Sequence, residues 1–309
     1  MILVLSGGTG GSKMVDGLAH VVGDANLSVI VNTGDDADFY GLRVCPDLDI
    51  CTYVLAGTID GRGWGYEDDS FRCLEGLATY GLESWFGLGD RDLATHIYRT
   101  LRLSQGALLH EITGEICVSL GVLAQVLPMS NDPIRTRITT PAGVVPFQEY
   151  LVKGGAKDEI TDITFEGIGA ATPAPGLLEA IAAAEAVVLA PSSPVVSIGT
   201  ILAVPGVRTA LTARRDHCIA VSPIVGRKPV EGPAHRFLAG AGYPDCSATQ
   251  MARMYADVAA TFVVDTTDAS EAVEIAALGV RPVLTDVLMP DRVQRRRLAE
   301  EVLRAVSGA

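Results

Sequence analysis

"MILVLSGGTGGSKMVDGLAHVV", residues 1–22, decides the fold. Its first five residues are apolar and of strand length, and Met14, Val15, Leu18, Val21 and Val22 then recur at a helical period. The pattern predicts a buried strand, a glycine-rich turn over "SGGTGGSK", and a helix from about residue 12 to 22. Gly7, Gly8, Thr9, Gly10 and Gly11 form the turn. Glycines there let the chain bend sharply and bring backbone N–H groups close to an anion, aided by the helix N-terminus. The turn matches neither the Walker A spacing nor the GxGxxG dinucleotide fingerprint, so a plain tight strand-to-helix connection competes with phosphate binding.

Outward from this unit, "LSVIVNT" reads as a second buried strand and "PDLDICTYVLAG" as a helix start. Pro46 suits a first helical position, and Asp47 and Asp49 suit the first turn. Residues from about 60 to 120 carry helical patterns, including "DDSFRCLEGLATYG" and "DRDLATHIYRTLRL". "TRITT", "GVVPFQEYLV" and "ITDITFEG" read as strands. From residue 176 helix and strand alternate again, through "LLEAIAAAEA", "AVVLAP", "CIAVSP", "TFVVD" and "RPVLTD" to a last helix. The expected architecture is α/β: a Rossmann-like doubly wound parallel sheet in three layers, one domain over 1–309 with a mainly helical insert at about 60–120.

Composition agrees and narrows the function. Of the residues 48% are hydrophobic but only 6% aromatic, so the apolar content is mostly aliphatic, as a sheet covered on both faces requires. No apolar run reaches the roughly 18 residues of a membrane span, and the N-terminus lacks a basic leader. The net charge of -13 argues against nucleic acid, because backbone recognition rests on Lys and Arg. It leaves room for a small phosphorylated ligand held by amides and a metal ion. Six cysteines without a CxxC pair imply reduced thiols and a cytoplasmic protein.

Several segments carry candidate chemistry. "VNTGDDADFYGLRVCPDLDI", residues 31–50, holds Asp35, Asp36, Asp38, Asp47 and Asp49. Asp35 and Asp36 follow the second strand, at the edge where open α/β sheets bind ligands. Hard divalent cations prefer such carboxylates; helix capping and solvated loop charges are the alternative. "LGDRDLATH", residues 88–96, puts His96 four residues after Asp92 on one helical face, either an acid–base pair or a structural hydrogen bond. "APSSPVVSIG" offers Ser192, Ser193, Ser197 and Gly199 at another strand end, and "SPIVGRKPVEGPAH" offers Lys228. Three such loops at strand ends point to one extended crevice for a nucleotide-like ligand.

In order, "SGGTGG", "VNTGDDA", "GLRVCPDLD", "RGWG", "LGDRDLATH", "APSSPVVSIG", "VPGVR" and "SPIVGRKPVEGPA" strongly resemble the 2-phospho-L-lactate transferase family, from residue 1 to about 300. The resemblance implies a Mg²⁺-dependent, commonly dimeric enzyme of coenzyme F-420 biosynthesis. It would take a phospho-acid (phospholactate, phosphoenolpyruvate or 3-phosphoglycerate) from a guanosine diphosphate-linked donor. It would pass this acid to the ribityl hydroxyl of 7,8-didemethyl-8-hydroxy-5-deazariboflavin (Fo) and release GMP. By motif, Asp35 and Asp49 would face the metal, and Asp49 would also contact Fo. Asp36, with Asp49 second, would orient the hydroxyl or take its proton, while Asp38 and Asp47 would be solvated or capping. Trp85, Phe86 and Gly87 would help hold the deazaflavin ring. Gly7–Gly11 and Ser192–Gly199 would carry the guanosine diphosphate, with Lys228 offsetting charge on GMP. Ser193 stands where relatives usually have Asn, and "IDGRGWG" is shorter than in some of them. The rival is a non-enzymatic UDP-sugar binder of the gluconeogenesis-factor type, which shares the glycine turn and the "DD".

Overall fold

The computed structural model describes residues 1–243 and 245–307. Its centre is a seven-stranded sheet. The strands are β1 (Ile2–Ser6), β2 (Leu27–Val31), β3 (Gln125–Pro128), β4 (Ala186–Leu189), β5 (Cys218–Val221), β6 (Thr261–Asp265) and β7 (Arg281–Thr285). They lie in the order β7-β6-β5-β4-β1-β2-β3, and every neighbouring pair is parallel. The order reverses between β1 and β4. That is the switch point of a doubly wound sheet, where two connections leave in opposite directions and open a crevice at the carboxyl ends.

Successive residues of a strand face opposite sides of a sheet, and β1 shows the consequence. Leu3 and Leu5 join one buried cluster with Ile30, Val187 and Phe262; Val4 joins the other with Met14, Leu18 and Leu298. Burial on both faces explains the unbroken apolar runs. Helix α1 (Gly8–Val22) covers one face beside the C-terminal helix Arg292–Ser307.

Helix α1 begins at Gly8, not near residue 12. The glycine-rich segment is therefore the first helical turn rather than a loop before it. Glycine's low helix propensity hid this, and close packing overrides it. Helix α2 (Pro46–Leu55) starts where expected. The stretch from about 60 to 120 contains α3 (Arg72–Thr79), α4 (Asp90–Ser104) and α5 (Leu109–Ser119), preceded by a loop closed by an Ile59–Tyr66 bridge. A small antiparallel sheet joins Arg135–Thr140, Gly143–Pro146 and Asp162–Glu166. "GVVPFQEYLV" stays a strand only to Pro146; Glu149–Lys153 is a helical turn. Pro146 has no N–H to continue the ladder.

Candidate active site

A cavity of about 540 Å³ opens at the switch point. On its floor, α1 begins at the end of β1, so the amides of its first turn have no intrahelical acceptor. The Gly7 amide donates to Ser192 Oγ (3.2 Å), which draws the loop after β4 against the glycine segment. An added Cβ on Gly7 would lie 2.7 Å from Ser197 Cβ and 2.8 Å from Asp47 Oδ2, so only glycine fits this junction. Gly7, Gly8, Thr9, Gly10, Ser192, Ser193 and Ser197 all line the cavity.

The acidic stretch forms one wall. Asp35, Asp47 and Asp49 line it, joined by Asp92 and Glu231: five carboxylates and, among the described residues, no lysine or arginine. Asp35 and Asp47 are both buried. Asn32 hydrogen-bonds both, donating to Asp47 Oδ2 at 2.9 Å, and the Gly8 amide also donates to Asp47. Burial, then the facing Asp47 charge, raises Asp35 well above the usual carboxylate range; burial raises Asp47 to about 6. Expected to be solvated or capping, Asp47 is instead a buried cavity residue, although it also occupies the first turn of α2 as capping requires.

Asp49 sits in a different setting. The guanidinium of Arg99 grips it through both carboxylate oxygens, and the same Nη1 donates to the Arg43 carbonyl (3.3 Å). Arg99 is 2% exposed, and burial alone would depress its ionisation, but Asp49 more than offsets this and holds it charged. Arg99 Nη1 also lies 3.2 Å from His96 Nδ1. A guanidinium only donates, so Nδ1 accepts, and Nε2–H faces Asp92 Oδ1 at 3.3 Å. Tyr53 Oη donates to that same oxygen (2.7 Å). His96 is thus part of a buried network rather than a free base. Asp49, Asp92 and His96 bring ligand atoms within 4.8 Å of one another.

Asp36, expected beside the acceptor hydroxyl, turns away from the main cavity. Its Oδ2 accepts the Cys45 thiol (3.0 Å), its Oδ1 has no partner, and burial raises it to about 7. It lines a smaller cleft of about 180 Å³ with Arg135 and Gln148. Asp38 is exposed and paired with Arg43 at 2.5 Å, in keeping with the solvated role.

The remaining wall is aromatic. Trp64, Trp85, Phe86 and Phe147 line it with Gly87. Phe86 stacks on Phe39 with centroids 4.2 Å apart, and Trp85 meets Phe39 edge-on at 5.4 Å. Three expected contacts fall outside the lining: Gly11 packs beneath Ser6 and Ser192, Gly199 beneath the Pro194 carbonyl, and Lys228 is exposed on the hairpin Ile224–Val225 to Lys228–Pro229. Lys13, which shares a small cavity with Gly10, pairs with Glu231. Arg99, Tyr53 and Asn32 were not anticipated. Arg99 follows Asp92 and His96 by seven and three residues, so the helical period already placed it on their face.

Parallel sheet, switch-point crevice and amide-lined helix start define a doubly wound α/β protein built to hold a small ligand at its strand ends. The chain belongs to the 2-phospho-L-lactate transferase CofD family, whose model matches residues 2–303. It is 43% identical over 309 residues to the phosphoenolpyruvate transferase of Streptomyces griseus, covering 98% of this chain and 97% of that one. It is 35% identical over 305 residues to the 2-phospho-L-lactate transferase of Methanosarcina mazei, covering 98% and 100%. A crystal structure of a UPF0052 family member from Bacillus halodurans superposes with a TM-score of 0.65 over 98% of each chain, at 20% identity, a likeness of fold alone. Among the described residues no helix is long and apolar enough to cross a membrane.

Proposed function

We propose that this transferase moves a phospho-acid from a guanosine diphosphate-linked donor to the ribityl hydroxyl of Fo and releases GMP. One observation carries the reading: a single cavity joins the first turn of α1, a wall of carboxylates and an aromatic flank. The first-turn amides and Ser192, Ser193 and Ser197 would hold the diphosphate, and Trp85, Phe86 and Gly87 the planar acceptor ring. The names of the Streptomyces relatives support the enolpyruvyl donor.

Five carboxylates with no lysine or arginine in the same lining, among the described residues, are complementary to a cation, not to a bare diphosphate. Hard oxygen donors in this number fit Mg²⁺, with Asp35 and Asp49 expected to face it and Asp47 beside them. When bound, the ion would neutralise charge on the diphosphate as the bond to GMP breaks. The chain's own groups position the reactants. Asp49, held by Arg99, faces the cavity and would accept the hydrogen bond of the attacking hydroxyl; Asp36 faces the smaller cleft and is the weaker choice. The enzyme is proposed to act in the cytoplasm as a homodimer, without nucleic-acid or membrane partners.

Incubation with Fo, Mg²⁺ and the lactyl, enolpyruvyl or glyceryl guanylated donor, followed by mass spectrometry, tests this directly. GMP and an Fo phosphodiester are expected, most rapidly from the enolpyruvyl donor. Absence of product from all three, with a thermal shift for UDP-N-acetylglucosamine and none for Fo, would overturn the reading in favour of a sugar-nucleotide binder.

A further inference from the structure

The proposed donor carries two kinds of anion, a diphosphate and the carboxylate of a three-carbon acid. The first turn of α1 offers amides to the diphosphate, but among the described residues no lysine or arginine lines the main cavity to meet the carboxylate. Cationic side chains around it are already committed: Arg99 to Asp49, Lys13 to Glu231, Arg43 to Asp38 and Lys153 to Glu83.

Arg135 is not committed. It lines the smaller cleft of about 180 Å³, and Asp35, Trp85, Phe147 and Gln148 border both that cleft and the main cavity. Arg135 and Arg137 share the less buried face of the strand Arg135–Thr140. Glu166 stands opposite Arg135 in the ladder, yet its carboxylate pairs with Arg137 at 2.8 Å. Arg135 donates to the Ile134 carbonyl (2.9 Å) and has no carboxylate within ion-pair distance among the described residues. A half-buried guanidinium without a counter-charge favours an anionic ligand.

The strand also holds Arg135 close to the reacting end. Thr136 donates its amide to the Gly34 carbonyl (2.7 Å) and its hydroxyl to Asp35 Oδ1 (3.4 Å), while Gln148 Nε2 donates to the Asp35 carbonyl (3.1 Å). An added Cβ on Gly34 would lie 2.9 Å from Thr136 Oγ1, so glycine permits this approach. Asp35 borders both cavities, so a phosphoryl group beside it can extend its acid into the cleft. The cleft has room for three carbons, not for a tricyclic ring or a nucleoside. Asp36 and Glu149 share its lining and repel a diffusely held anion. That favours an anion meeting the guanidinium in the planar, two-pronged geometry of a carboxylate.

We propose that Arg135 binds the carboxylate of the transferred phospho-acid in this side cleft, and so selects acids over uncharged groups on the same phosphate. The proposal rests on the transferase reading given above.

Two measurements test it, one of them without turnover. In the first, kcat/KM is compared for the enolpyruvyl guanylated donor and for an ethyl donor that lacks the carboxylate. Wild type is expected to prefer the enolpyruvyl donor at least tenfold, and Arg135→Gln to lose at least tenfold more on it than on the ethyl donor. Arg135→Lys should recover only part, since an ammonium cannot supply the paired contact. In the second, phosphoenolpyruvate and ethyl phosphate are titrated into protein holding Mg²⁺ and GMP, by calorimetry. Wild type is expected to bind phosphoenolpyruvate at least tenfold more tightly, and Arg135→Gln to erase that preference. Equal losses on both ligands, or an unchanged preference in Arg135→Gln, overturn the proposal, as does a wild type without preference. Should Arg135→Gln not fold, Arg135→Lys carries the same comparison. If the preference is present and depends on Arg135 but no guanylated donor is consumed with Fo, the substrate assignment fails and the carboxylate site stands.

Discussion

At the scale of single residues, the site depends on pairing inside a low-dielectric wall. Removing one partner of a buried ion pair leaves the other uncompensated, which typically costs about 3–5 kcal/mol. Arg99→Met is therefore expected to lower the urea-unfolding free energy by roughly that amount and to reduce kcat at least tenfold. Arg99→Lys should recover part of the stability but little kcat, because an ammonium cannot reproduce the two-pronged contact. Equal recovery of both would mean that charge alone matters. Asp36 behaves oppositely, having no strong partner. Burial raises it from 3.8 to about 7. The folded chain thus keeps a proton that the unfolded chain releases, so stability falls as pH rises from about 4 towards 7 and stays reduced above it. Metal-free Asp36→Asn should show a flatter urea-unfolding free energy across that window and exceed wild type above pH 7, by on the order of 2–4 kcal/mol. A variant with the wild-type pH profile would contradict this. Arg99 could have been read from helical spacing, whereas the split between Asp36 and Asp47 could not. Both are Asp beside an apolar segment, and only the turn after β2 decides which one faces the cavity.

Among the elements, α1 is the one on which fold and site both depend. Its apolar period was plain in the sequence, but its start was not, since four glycines in five positions argue against helix locally. Tertiary contact reverses that preference. The same logic holds at Gly17, where an added Cβ would stand 2.3 Å from the Arg295 carbonyl oxygen of the C-terminal helix. Alanine would gain about 1 kcal/mol of helix propensity at this position. The clash is with backbone, which cannot swing aside, so overpacking of about 1–3 kcal/mol or more should win. It would also disturb the neighbouring Asp16–Arg295 pair at 2.9 Å. Gly17→Ala is expected to lower the melting temperature by several degrees in calorimetry. An increase would show that the two helices separate freely. Strands were the most legible elements, because burial on both faces of a parallel sheet writes itself as an apolar run. The turn at Glu149–Lys153 was not legible, as an alternation that suits a strand continued past Pro146.

For the whole molecule, one sheet serves two cores. Leu5 packs with the cluster on one face, and its neighbour Val4 with the cluster on the other. Neither layer can loosen without moving β1, and β1 also sets the floor of the cavity at Ser6 and Gly7. This coupling argues that sheet and site are lost together. Leu5 is fully buried, so Leu5→Ala should cost about 2–5 kcal/mol in lost transfer and cavity terms. The two tryptophans, Trp64 and Trp85, both line the cavity and report on the site, whereas far-UV circular dichroism reports on the whole sheet. In urea the two signals are expected to share one midpoint in wild type and to shift together in Leu5→Ala. If tryptophan fluorescence changed at distinctly lower urea than circular dichroism, the segment around residues 60–120 would unfold ahead of the sheet. The helical insert would then be a separate cooperative unit resting on the core, and the cavity wall carrying Arg99 and His96 could detach while β1 and α1 remained folded.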